Sequence, residues 1–351
     1  MPRPSKGRSG GRVAIFLSAA SVLLAGFAAL SATADAPPAA AALALEVTAV
    51  PLDPADASRH SIGPLEYLGG LWLRGDDPRF GGLSDLRVSA DGERLFAVSD
   101  CGNGFMARLR YDASGRLVGL GEARIVGLTD PDGRPLALND IDAESLVAIP
   151  GGALEVGFEG RSRIHTYGPA FEGPARREVS PVALAECGSN GGLELMADAG
   201  GGKRLLVCEE RRAASSTVPA WIGFRDAWQE RTYPLTFDGG WTAQPFRPTG
   251  GARLPNGDLL VVERRFPPLA ARLVRLERAT LEGQGALAPL ELARIEPPLT
   301  LDNFEGIDVR QDARGRTLVY VMSDDNNCAK LKGAARHGVQ RTLLLLFELA
   351  S

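Results

Sequence analysis

The stretch NFEGIDVRQDARGRTLVYVMSDDN, from Asn303 to Asn326, reads as a β-hairpin with acidic residues at its open end. Apolar residues alternate along both halves, and Arg314-Gly315 supplies the turn between them. Glu305 stands near the start of the first strand and Asp324 at the end of the second. Because antiparallel strands return to the level at which they started, we expect both carboxylates at the same end of the hairpin.

Four other stretches repeat this pattern of apolar strand, glycine-centred turn, second apolar strand and charged end. With Ser84, Glu144, Glu194, Gly251 and Glu305 taken as equivalent, the spacings are 60, 50, 57 and 54 residues. A period of this length built only from strands is typical of a β-propeller blade, so the chain is predicted to be all-β with a β-propeller fold. The stretches are GGLSDLRVSADGERLFAVSD (81–100), DAESLVAIPGGALEVGFEG (142–160), NGGLELMADAGGGKRLLVCEE (190–210) and TGGARLPNGDLLVVER (249–264).

Five blades are visible in this repeat, and the chain length divided by the period predicts six. Strand-like segments near both ends of the chain offer the remaining strands, namely RTLLLLFEL (341–349), LALEVTAVPL (43–52) and YLGGLWL (67–73). We expect strands from both termini to close the ring, because closure removes the exposed strand edges that favour aggregation.

The repeat also predicts which residues face each other, since opposing residues in an antiparallel pair have a constant sum of residue numbers. Centring each hairpin on its turn pairs Glu305 with Asp324, Glu144 with Glu159, Glu194 with Glu209, Ser84 with Asp100 and Gly250 with Glu263. If these hairpins form the innermost strands, their carboxylates converge around the axis at one face. The converging residues are Asp100, Glu144, Glu159, Glu194, Glu209, Glu263, Glu305 and Asp324.

Such a ring of carboxylates needs compensation, because two like charges ~5 Å apart repel by about 3 kcal/mol at an effective dielectric constant of ~20. Two interpretations are open. Either nearby arginines pair with the carboxylates and tie the blades together, or the carboxylates hold a divalent cation while the arginines bind an anionic group. An all-oxygen ligand set favours calcium. The arginines are Arg161, Arg163, Arg211, Arg212, Arg264 and Arg265.

The N-terminal segment has the composition of a signal peptide. Four basic residues precede the 18-residue apolar run VAIFLSAASVLLAGFAAL, and Ala32-Thr33-Ala34 offers a small-residue cleavage site. We predict a signal peptide over residues 1–34, a Pro/Ala-rich spacer over 35–44 and the propeller domain over 45–351, with a periplasmic or secreted location. A retained membrane anchor is the alternative, because the run is close to the minimum length for a span.

The mature chain is expected to be acidic and to contain disulfides. Residues 1–34 carry four basic residues and no acidic ones, so the formal net charge of −4 becomes −8 after cleavage. This charge argues against nucleic acid as a partner, and no stable membrane insertion is expected after cleavage. Among the four cysteines, Cys187–Cys208 is the preferred pair because the two residues flank one hairpin.

Several of these stretches resemble the phytase-like repeat family, whose domain is described as "esterase-like activity of phytase". RFGGLSDLRVSADGERLFAVSD, DAESLVAIPGGALEVGFEGRSRI, NGGLELMADAGGGKRLLVCEE and DNFEGIDVRQDARGRTLVYVMSDDN match its pattern in order, followed by QRTLLLLFEL. The resemblance runs from about Tyr67 to Leu349 and implies a propeller that hydrolyses phosphoesters or simple esters, by similarity to calcium-dependent phytases. The metal ligands that it implies are Asp100, Glu144, Glu159, Glu194, Glu209, Glu305 and Asp324.

Two features depart from the family pattern. Cys101 follows Asp100 where the family usually has a basic residue, and an insertion over 327–338 separates SDDN from QRT. The insertion either restores the missing positive charge near the same face or forms a solvated loop held by Cys328. Its charged residues are Lys330, Lys332, Arg336 and His337.

The resulting hypothesis is a calcium-dependent hydrolase acting on a small phosphate-containing or simple ester. It assigns catalytic roles to Glu194, Glu305, Asp324 and Arg161, and substrate binding to Arg161, Arg211 and Arg264. A conventional serine esterase is disfavoured because no G-x-S-x-G motif occurs, and His165 is expected to be structural. Two alternatives stay open: a non-catalytic propeller that binds a ligand or a protein, and a calcium-dependent lactonase.

Overall fold

Short antiparallel strands joined by tight turns form most of the described chain. The computed structural model describes residues 39–179, 184, 187, 192–210, 215–225, 227–238, 244–330 and 340–350. The helices in this part are short, namely α1 (Arg278–Glu282) and 3₁₀ turns at Leu138–Asp140, Pro169–Phe171 and Asn327–Lys330. The strands are β1 (Ala41–Ala42), β2 (Glu46–Ala49), β3 (Ser61–Ile62), β4 (Leu65–Arg74), β5 (Leu83–Val88), β6 (Arg94–Ser99), β7 (Asn103–Tyr111), β8 (Leu117–Gly127), β9 (Ala143–Ala148), β10 (Leu154–Phe158), β11 (Arg163–Tyr167), β12 (Arg177–Val179), β13 (Leu193–Gly200), β14 (Lys203–Cys208), β15 (Thr217–Phe224), β16 (Ala227–Pro234), β17 (Arg247–Arg253), β18 (Leu259–Arg265), β19 (Ala270–Leu276), β20 (Leu290–Ile295), β21 (Asn303–Gln311), β22 (Thr317–Asp324) and β23 (Thr342–Leu349).

Hydrogen bonds join these strands into five antiparallel sheets, in the spatial orders β1-β8-β7-β6-β5, β12-β11-β10-β9, β13-β14-β15-β16, β17-β18-β19-β20 and β2-β4-β23-β22-β21 with β3 on β4. One strand of each sheet, β5, β9, β13, β17 or β21, contacts the equivalent strand of the next sheet, and β21 returns to β5. The approach is close: a Cβ on Gly306 in β21 would lie 2.9 Å from the Cα of Asp85 in β5. The five sheets therefore surround one axis as blades of a β-propeller.

The number of blades is five, so the prediction of six is wrong. The segments near both ends of the chain, which were expected to supply a further blade, belong to the fifth sheet. In that sheet β23 pairs with β22 on one side and with β4 on the other, and β2 pairs with β4. Dividing the chain length by the repeat period overestimates the number of blades. The fifth blade takes residues from two distant segments of the chain and is therefore longer than one period.

Most strands bury both faces, because each blade packs between two others. In β23, Leu344 and Leu346 pack toward the first sheet, whereas Leu343, Leu345 and Phe347 pack toward the fourth. Three further clusters fill the remaining boundaries between neighbouring sheets. A strand that is buried on both faces reads as a nearly continuous apolar run, which accounts for the sequence of β23.

Two disulfides join the described cysteines. The pair Cys187–Cys208 confirms the prediction, and Cys101–Cys328 is the second bond. Residues Asp35–Ser351 cluster as one unit, and in the described part no helix is long and apolar enough for a membrane span. The predicted signal peptide lies outside the described residues and stays a prediction. Of the predicted spacer, Ala41–Ala42 forms β1, which pairs with β8.

A buried ion pair, Asp85 with Arg87, occupies the axis of the ring, and we call these two residues of β5 the axial plug. The Arg87 guanidinium donates hydrogen bonds to the carbonyl oxygens of Ile307 (2.9 Å), Gly251 (3.2 Å) and Met196 (3.4 Å). These carbonyls belong to β21, β17 and β13. One side chain therefore satisfies backbone acceptors on three other inner strands.

The carboxylate of the plug reaches the remaining inner strand. Asp85 Oδ2 accepts the backbone N–H of Leu146 in β9 at 2.8 Å, and its Oδ1 accepts a hydrogen bond from Arg87 at 3.1 Å. Burial raises the pKa of Asp85 to about 7, while Arg87 acts in the opposite direction. Together the two side chains connect all five inner strands at the centre of the molecule.

The hairpin registers differ from the predicted ones because each inner strand carries a one-residue β-bulge. In the fifth sheet Asp324 pairs with Asn303, and Glu305 is the extra residue between Phe304 and Gly306. The same shift occurs in the other four inner strands. The predicted pairs, including Glu305 opposite Asp324, are therefore wrong in register. The extra residues are Ser84, Glu144, Glu194, Thr249 and Glu305.

The register has its largest consequence in the fourth sheet, where Glu263 was predicted to join the axial carboxylates. Glu263 instead pairs with Pro248. Arg264, the residue after it, occupies the position at which each of the other four sheets has an acidic residue. A shift of one residue turns a strand side chain to the opposite face. Glu263 is therefore fully buried between strands, where it accepts hydrogen bonds from the Tyr233 hydroxyl at 2.5 Å and from Arg272. It is not an axial carboxylate.

Replacing Arg87 with alanine is expected to destabilise the fold by about 3–5 kcal/mol, because the Asp85 carboxylate and several backbone carbonyls lose their donor. Urea unfolding followed by circular dichroism measures the difference. The matched control is Arg134→Ala, which removes an exposed arginine that pairs with Asp132 at 2.8 Å and should cost less than about 1 kcal/mol. Equal stability of the two variants would show that the plug does not hold the ring together.

Glu263→Gln is expected to lower the free energy of unfolding by about 2–4 kcal/mol, because buried Arg272 loses a charged partner. The same variant should bind calcium like the wild type, since Glu263 faces away from the axis. Urea unfolding and isothermal titration calorimetry check the two statements. Glu93→Gln, which removes an exposed partner of Arg108, should change neither quantity. Weaker calcium binding by folded Glu263→Gln would contradict the observed register.

Candidate active site

The end of the ring at which the inner strands begin collects seven described carboxylates, which we call the acidic mouth. Some are the extra residues of the bulges, and the others stand at the end of the strand that pairs with an inner strand or directly after it. Carboxylate oxygens of Glu144, Glu159 and the neighbouring Asp142 lie within 4.8 Å of one another. The acidic mouth consists of Asp100, Glu144, Glu159, Glu194, Glu209, Glu305 and Asp324. These residues are the ones that the sequence predicts as metal ligands, and that role stays a prediction.

The bulges make this end of the ring asymmetric. Bulges redirect individual side chains and are frequent beside active sites. Three of the five bulge positions carry carboxylates, at Glu144, Glu194 and Glu305, whereas the first and fourth sheets have Ser84 and Thr249. The Thr249 hydroxyl donates a hydrogen bond to a backbone carbonyl at 3.3 Å, so it is already engaged within the fold. The acidic bulges therefore lie on the second, third and fifth blades.

Arg264 compensates part of this negative charge. Its Nη2 lies 3.2 Å from Glu209 Oε1, and its Nε lies 3.1 Å from Glu305 Oε1. Burial alone would lower the pKa of Arg264, but the surrounding carboxylates, with Glu209 first, raise it above the ordinary arginine value. Asn303 Nδ2 donates a further hydrogen bond to Glu305 at 2.8 Å. For Arg264, the interpretation as a tie between blades therefore has direct structural support.

Glu144 and Glu194 lack comparable partners. Each side chain is buried, with 9% and 6% exposure, and neither makes a hydrogen bond or ion pair with any other described residue. Burial raises the pKa of Glu144 well above its ordinary value, and Glu194 raises it further. Burial, followed by Glu209 and Glu159, does the same to the pKa of Glu194. A buried carboxylate without a partner is unfavourable unless it is protonated or meets a cation.

Asp324 occupies a similar environment on the fifth blade. Its Oδ1 accepts the backbone N–H of Asn326 at 2.7 Å. Burial raises the pKa of Asp324 well above its ordinary value, and the charges of Glu305 and Asp100 add to the effect. Although Glu305 and Asp324 are not opposite each other in the ladder, they are close enough to interact electrostatically. Carboxylates from the first and fifth blades therefore act together on the pKa of Asp324.

The first blade holds Asp100 in a tight backbone environment. Gly82 has φ +61°, and a Cβ at this position would lie 1.9 Å from Asp100 Oδ1, so only glycine fits. The Gly82 N–H donates a hydrogen bond to Asp325 Oδ1 at 2.8 Å, and the Cys101–Cys328 disulfide closes the same corner. Because both sulfurs are in the disulfide, these cysteines are not metal ligands. The cysteine that replaces the expected basic residue therefore has a structural role.

The predicted arginine sites fall into three groups. Arg161 lies at the rim with a side chain that is 55% exposed, and its Nε is 3.4 Å from Asp140 Oδ1. Arg163 is fully buried in the second sheet, where it stacks on Phe158 and donates hydrogen bonds to the backbone carbonyls of Arg161 and Asp140. Arg211 lies outside the described residues, as do Arg212, Lys332, Arg336 and His337. The substrate-binding and catalytic roles of Arg161, Arg211 and Arg264 stay predictions.

Sequence reasoning missed two polar residues beside the acidic mouth. Asp142 contributes a carboxylate to the group around Glu144, and its backbone carbonyl accepts the N–H of Glu159 at 2.8 Å. Asn303 orients Glu305 through its side-chain amide. Both stand two residues before a bulge, so recognition of the bulges would have identified them.

The described residues contain no serine–histidine pair at the acidic mouth. His165 is fully buried in the second sheet, where Arg163 Nε lies 3.3 Å from its Nε2 and the Tyr167 hydroxyl lies 3.2 Å from its Nδ1. His60 lies in the loop before β3, and its side chain is exposed.

Three solved structures that resemble this chain share its fold only at low similarity. They are the WD40 repeats of RRP9 (TM-score 0.40, 11% identity, 86% of this chain and 100% of that one), a luciferin-regenerating enzyme (TM-score 0.42, 10% identity, 78% and 96%) and a nidogen/laminin complex (TM-score 0.37, 14% identity, 65% and 72%). Likeness at this level supports no statement about function. A search of curated proteins gives no significant match.

A family model gives the decisive comparison. The model described as "Phytase-like: Esterase-like activity of phytase" matches residues 78–327, which is more than half of the chain. The matched region contains every carboxylate of the acidic mouth and all five inner strands. In agreement with the resemblance seen in the sequence, the chain belongs to this phytase-like family.

Proposed function

We propose that this protein hydrolyses a phosphate-containing or simple ester at the acidic mouth, with calcium as its metal ion. One observation carries the proposal: Glu144 and Glu194 are buried in a group of carboxylates without a hydrogen bond or ion pair to any other described residue. A divalent cation would stabilise their ionised forms. Membership in the phytase-like family supplies the class of reaction.

The donor set fits calcium. Calcium prefers several oxygen ligands, including carboxylates, and tolerates irregular geometry. Glu144, Glu159 and Asp142 offer oxygens within 4.8 Å of one another, and Glu194 interacts electrostatically with Glu144. These residues would hold the ion, with Asp100, Glu209, Glu305 and Asp324 as the other candidate ligands around the mouth. When bound, calcium would supply Lewis acidity toward the ester and lower the pKa of water.

Other residues of the chain would position the substrate and move protons. Arg264 forms ion pairs with Glu209 and Glu305 and so fixes the two carboxylates relative to each other. Arg161, whose side chain is 55% exposed, would bind an anionic group of the substrate. Glu194 and Asp324, whose pKa values burial and neighbouring charges raise, are suited to hold or accept a proton. Glu194, Glu305, Asp324 and Arg161 are thus the proposed catalytic residues.

The proposed setting is the periplasm or the extracellular medium. The two disulfides suit an oxidising compartment, because cytosolic proteins rarely keep such bonds. The composition of residues 1–34 supports export through a cleaved signal peptide.

Calcium is expected to raise the melting temperature of the chelator-treated protein, because an ion that binds only the folded state stabilises it. The increase should be larger at pH 8 than at pH 5, since protons compete with calcium for carboxylates whose pKa values are raised. Differential scanning calorimetry with calcium or EDTA measures it. Glu144→Gln should lose most of the increase, whereas the exposed variant Glu93→Gln should keep it. A melting temperature that is indifferent to calcium at both pH values would remove the metal from the proposal.

Hydrolysis is tested on p-nitrophenyl phosphate, bis-p-nitrophenyl phosphate, p-nitrophenyl acetate and an aliphatic lactone, with calcium or with EDTA. We expect calcium-dependent turnover of at least one phosphate or carboxylic ester, and roughly a hundredfold loss in Glu194→Gln. Glu93→Gln, on an exposed turn, serves as the matched control. Calcium binding without turnover of any substrate would instead identify a binding propeller, and turnover of the lactone alone would identify a lactonase.

A further inference from the structure

We propose that the mouth of the ring opposite the acidic mouth is a second ligand site, which binds a small organic anion with an apolar body. A cavity of about 680 Å³ opens at this end, where the inner strands run into their turns. We call it the turn-side cavity. Residues of all five inner strands line it, including Val88, Ala148, Asp198, Ala252 and Val309.

The axial plug separates this cavity from the acidic mouth. Arg87 lines the turn-side cavity, while its guanidinium is bonded to carbonyls of three other inner strands. Asp85, beside it, is fully buried. A ligand in the turn-side cavity would therefore contact none of the carboxylates assigned to hydrolysis. The two sites can be tested independently.

Apolar side chains form much of the cavity wall. Val147, Leu154 and Ala252 are buried, and Val88 and Val309 are half-buried around the same opening. Small-molecule sites typically enclose 300–1,000 Å³ behind mostly apolar walls with a few polar groups, and this cavity falls in that range. A compact aromatic or branched aliphatic group would displace water from these walls. The apolar lining thus favours an organic ligand over a bare inorganic ion.

Guanidinium groups at the rim remain available to an anion. Within the described residues, the Arg94 side chain makes no hydrogen bond or ion pair. Arg310 donates through Nε to the Tyr320 hydroxyl at 2.9 Å and has no described carboxylate within ion-pair distance. Arg253 lies 3.9 Å from Asp198, too far for a good hydrogen bond. All three arginines line the cavity.

The acidic residues of the lining are engaged more closely than these arginines. Glu93 pairs with Arg108 outside the cavity at 2.6 Å. Asp308 accepts a backbone N–H from β5 at 2.6 Å, and Asp91 accepts the hydroxyl of Ser89 at 2.5 Å. Of the three rim arginines, Arg94 and Arg310 therefore have no described carboxylate within ion-pair distance, and their guanidinium groups can approach a ligand. A carboxylate or sulfonate on the ligand would complement them.

The first experiment fills the cavity without changing its charge. The full chain is titrated in EDTA with 8-anilinonaphthalene-1-sulfonate, an aromatic anion whose fluorescence rises in apolar sites. We expect saturable binding that Ala148→Trp abolishes, because Ala148 is exposed inside the cavity. Ala288→Trp, on an exposed loop away from this lining, should bind like the wild type. Melting curves verify that both variants fold. Absent binding, or binding unchanged by Ala148→Trp, would overturn the proposal.

The second experiment tests the charge of the ligand. Arg94→Gln should weaken binding of the dye roughly tenfold, which corresponds to the loss of one charge-assisted hydrogen bond. Arg134→Gln, in an exposed turn with 74% side-chain exposure, should leave it unchanged. In competition experiments with the wild-type protein, 2-naphthoate should displace the dye at a roughly tenfold lower concentration than 2-naphthalenemethanol. Equal competition by the acid and the alcohol would overturn the anionic part of the proposal. Because calcium is absent throughout, failure here leaves the hydrolytic proposal untouched.

Discussion

The pairing of Asp85 with Arg87 is the constraint on which the rest of the molecule depends. Backbone groups that face the axis of a propeller need partners, because buried polar groups without hydrogen bonds are costly. A guanidinium has five N–H donors in a rigid plane, and Arg87 directs them toward carbonyls of three other inner strands while Asp85 serves the remaining one. The plug also divides the axis into an acidic mouth and a turn-side cavity, whose lining contains apolar side chains and residues of both charges.

The β-bulges of the inner strands bring glutamate side chains of the repeat to the acidic mouth. Without them, alternation along each inner strand would place successive side chains on opposite faces in a regular way. With one extra residue per strand, Glu144, Glu194 and Glu305 join the carboxylates that follow the paired strands. Two such charges ~5 Å apart repel by about 3 kcal/mol at an effective dielectric constant of ~20, so the fold can hold this group only with compensation. Arg264 supplies that compensation through ion pairs with Glu209 and Glu305, whereas its effect on the pKa of Glu194 is smaller than that of burial and the neighbouring carboxylates.

The sequence predicts the features that depend on local pattern and composition. The period identifies the propeller, the apolar runs locate most strands, and the position of Cys187 and Cys208 on one hairpin gives their disulfide. It predicts the blade number incorrectly, because pairing of β23 with β4 joins residues that are distant in the chain. It also assigns Glu263 to the axis, because the amino-acid sequence gives no clear sign of the bulge between Pro248 and Gly250. The bulge shifts the register by one residue, and Arg264 therefore takes the axial position that was predicted for Glu263.

The same register accounts for the uneven charge of the acidic mouth. In four blades a carboxylate stands at the end of the strand that pairs with the inner strand or directly after it. In the fourth blade Arg264 takes this position, and Glu263 accepts a hydrogen bond from Arg272. Arg264 forms ion pairs with Glu209 and Glu305, which belong to the third and fifth blades. Within the described residues, Glu144 and Glu194 on the second and third blades form no ion pair, and burial together with neighbouring carboxylates raises their pKa values. An ion that relieves this repulsion would be drawn to that side of the mouth, so catalysis and stability would rest on the same cation.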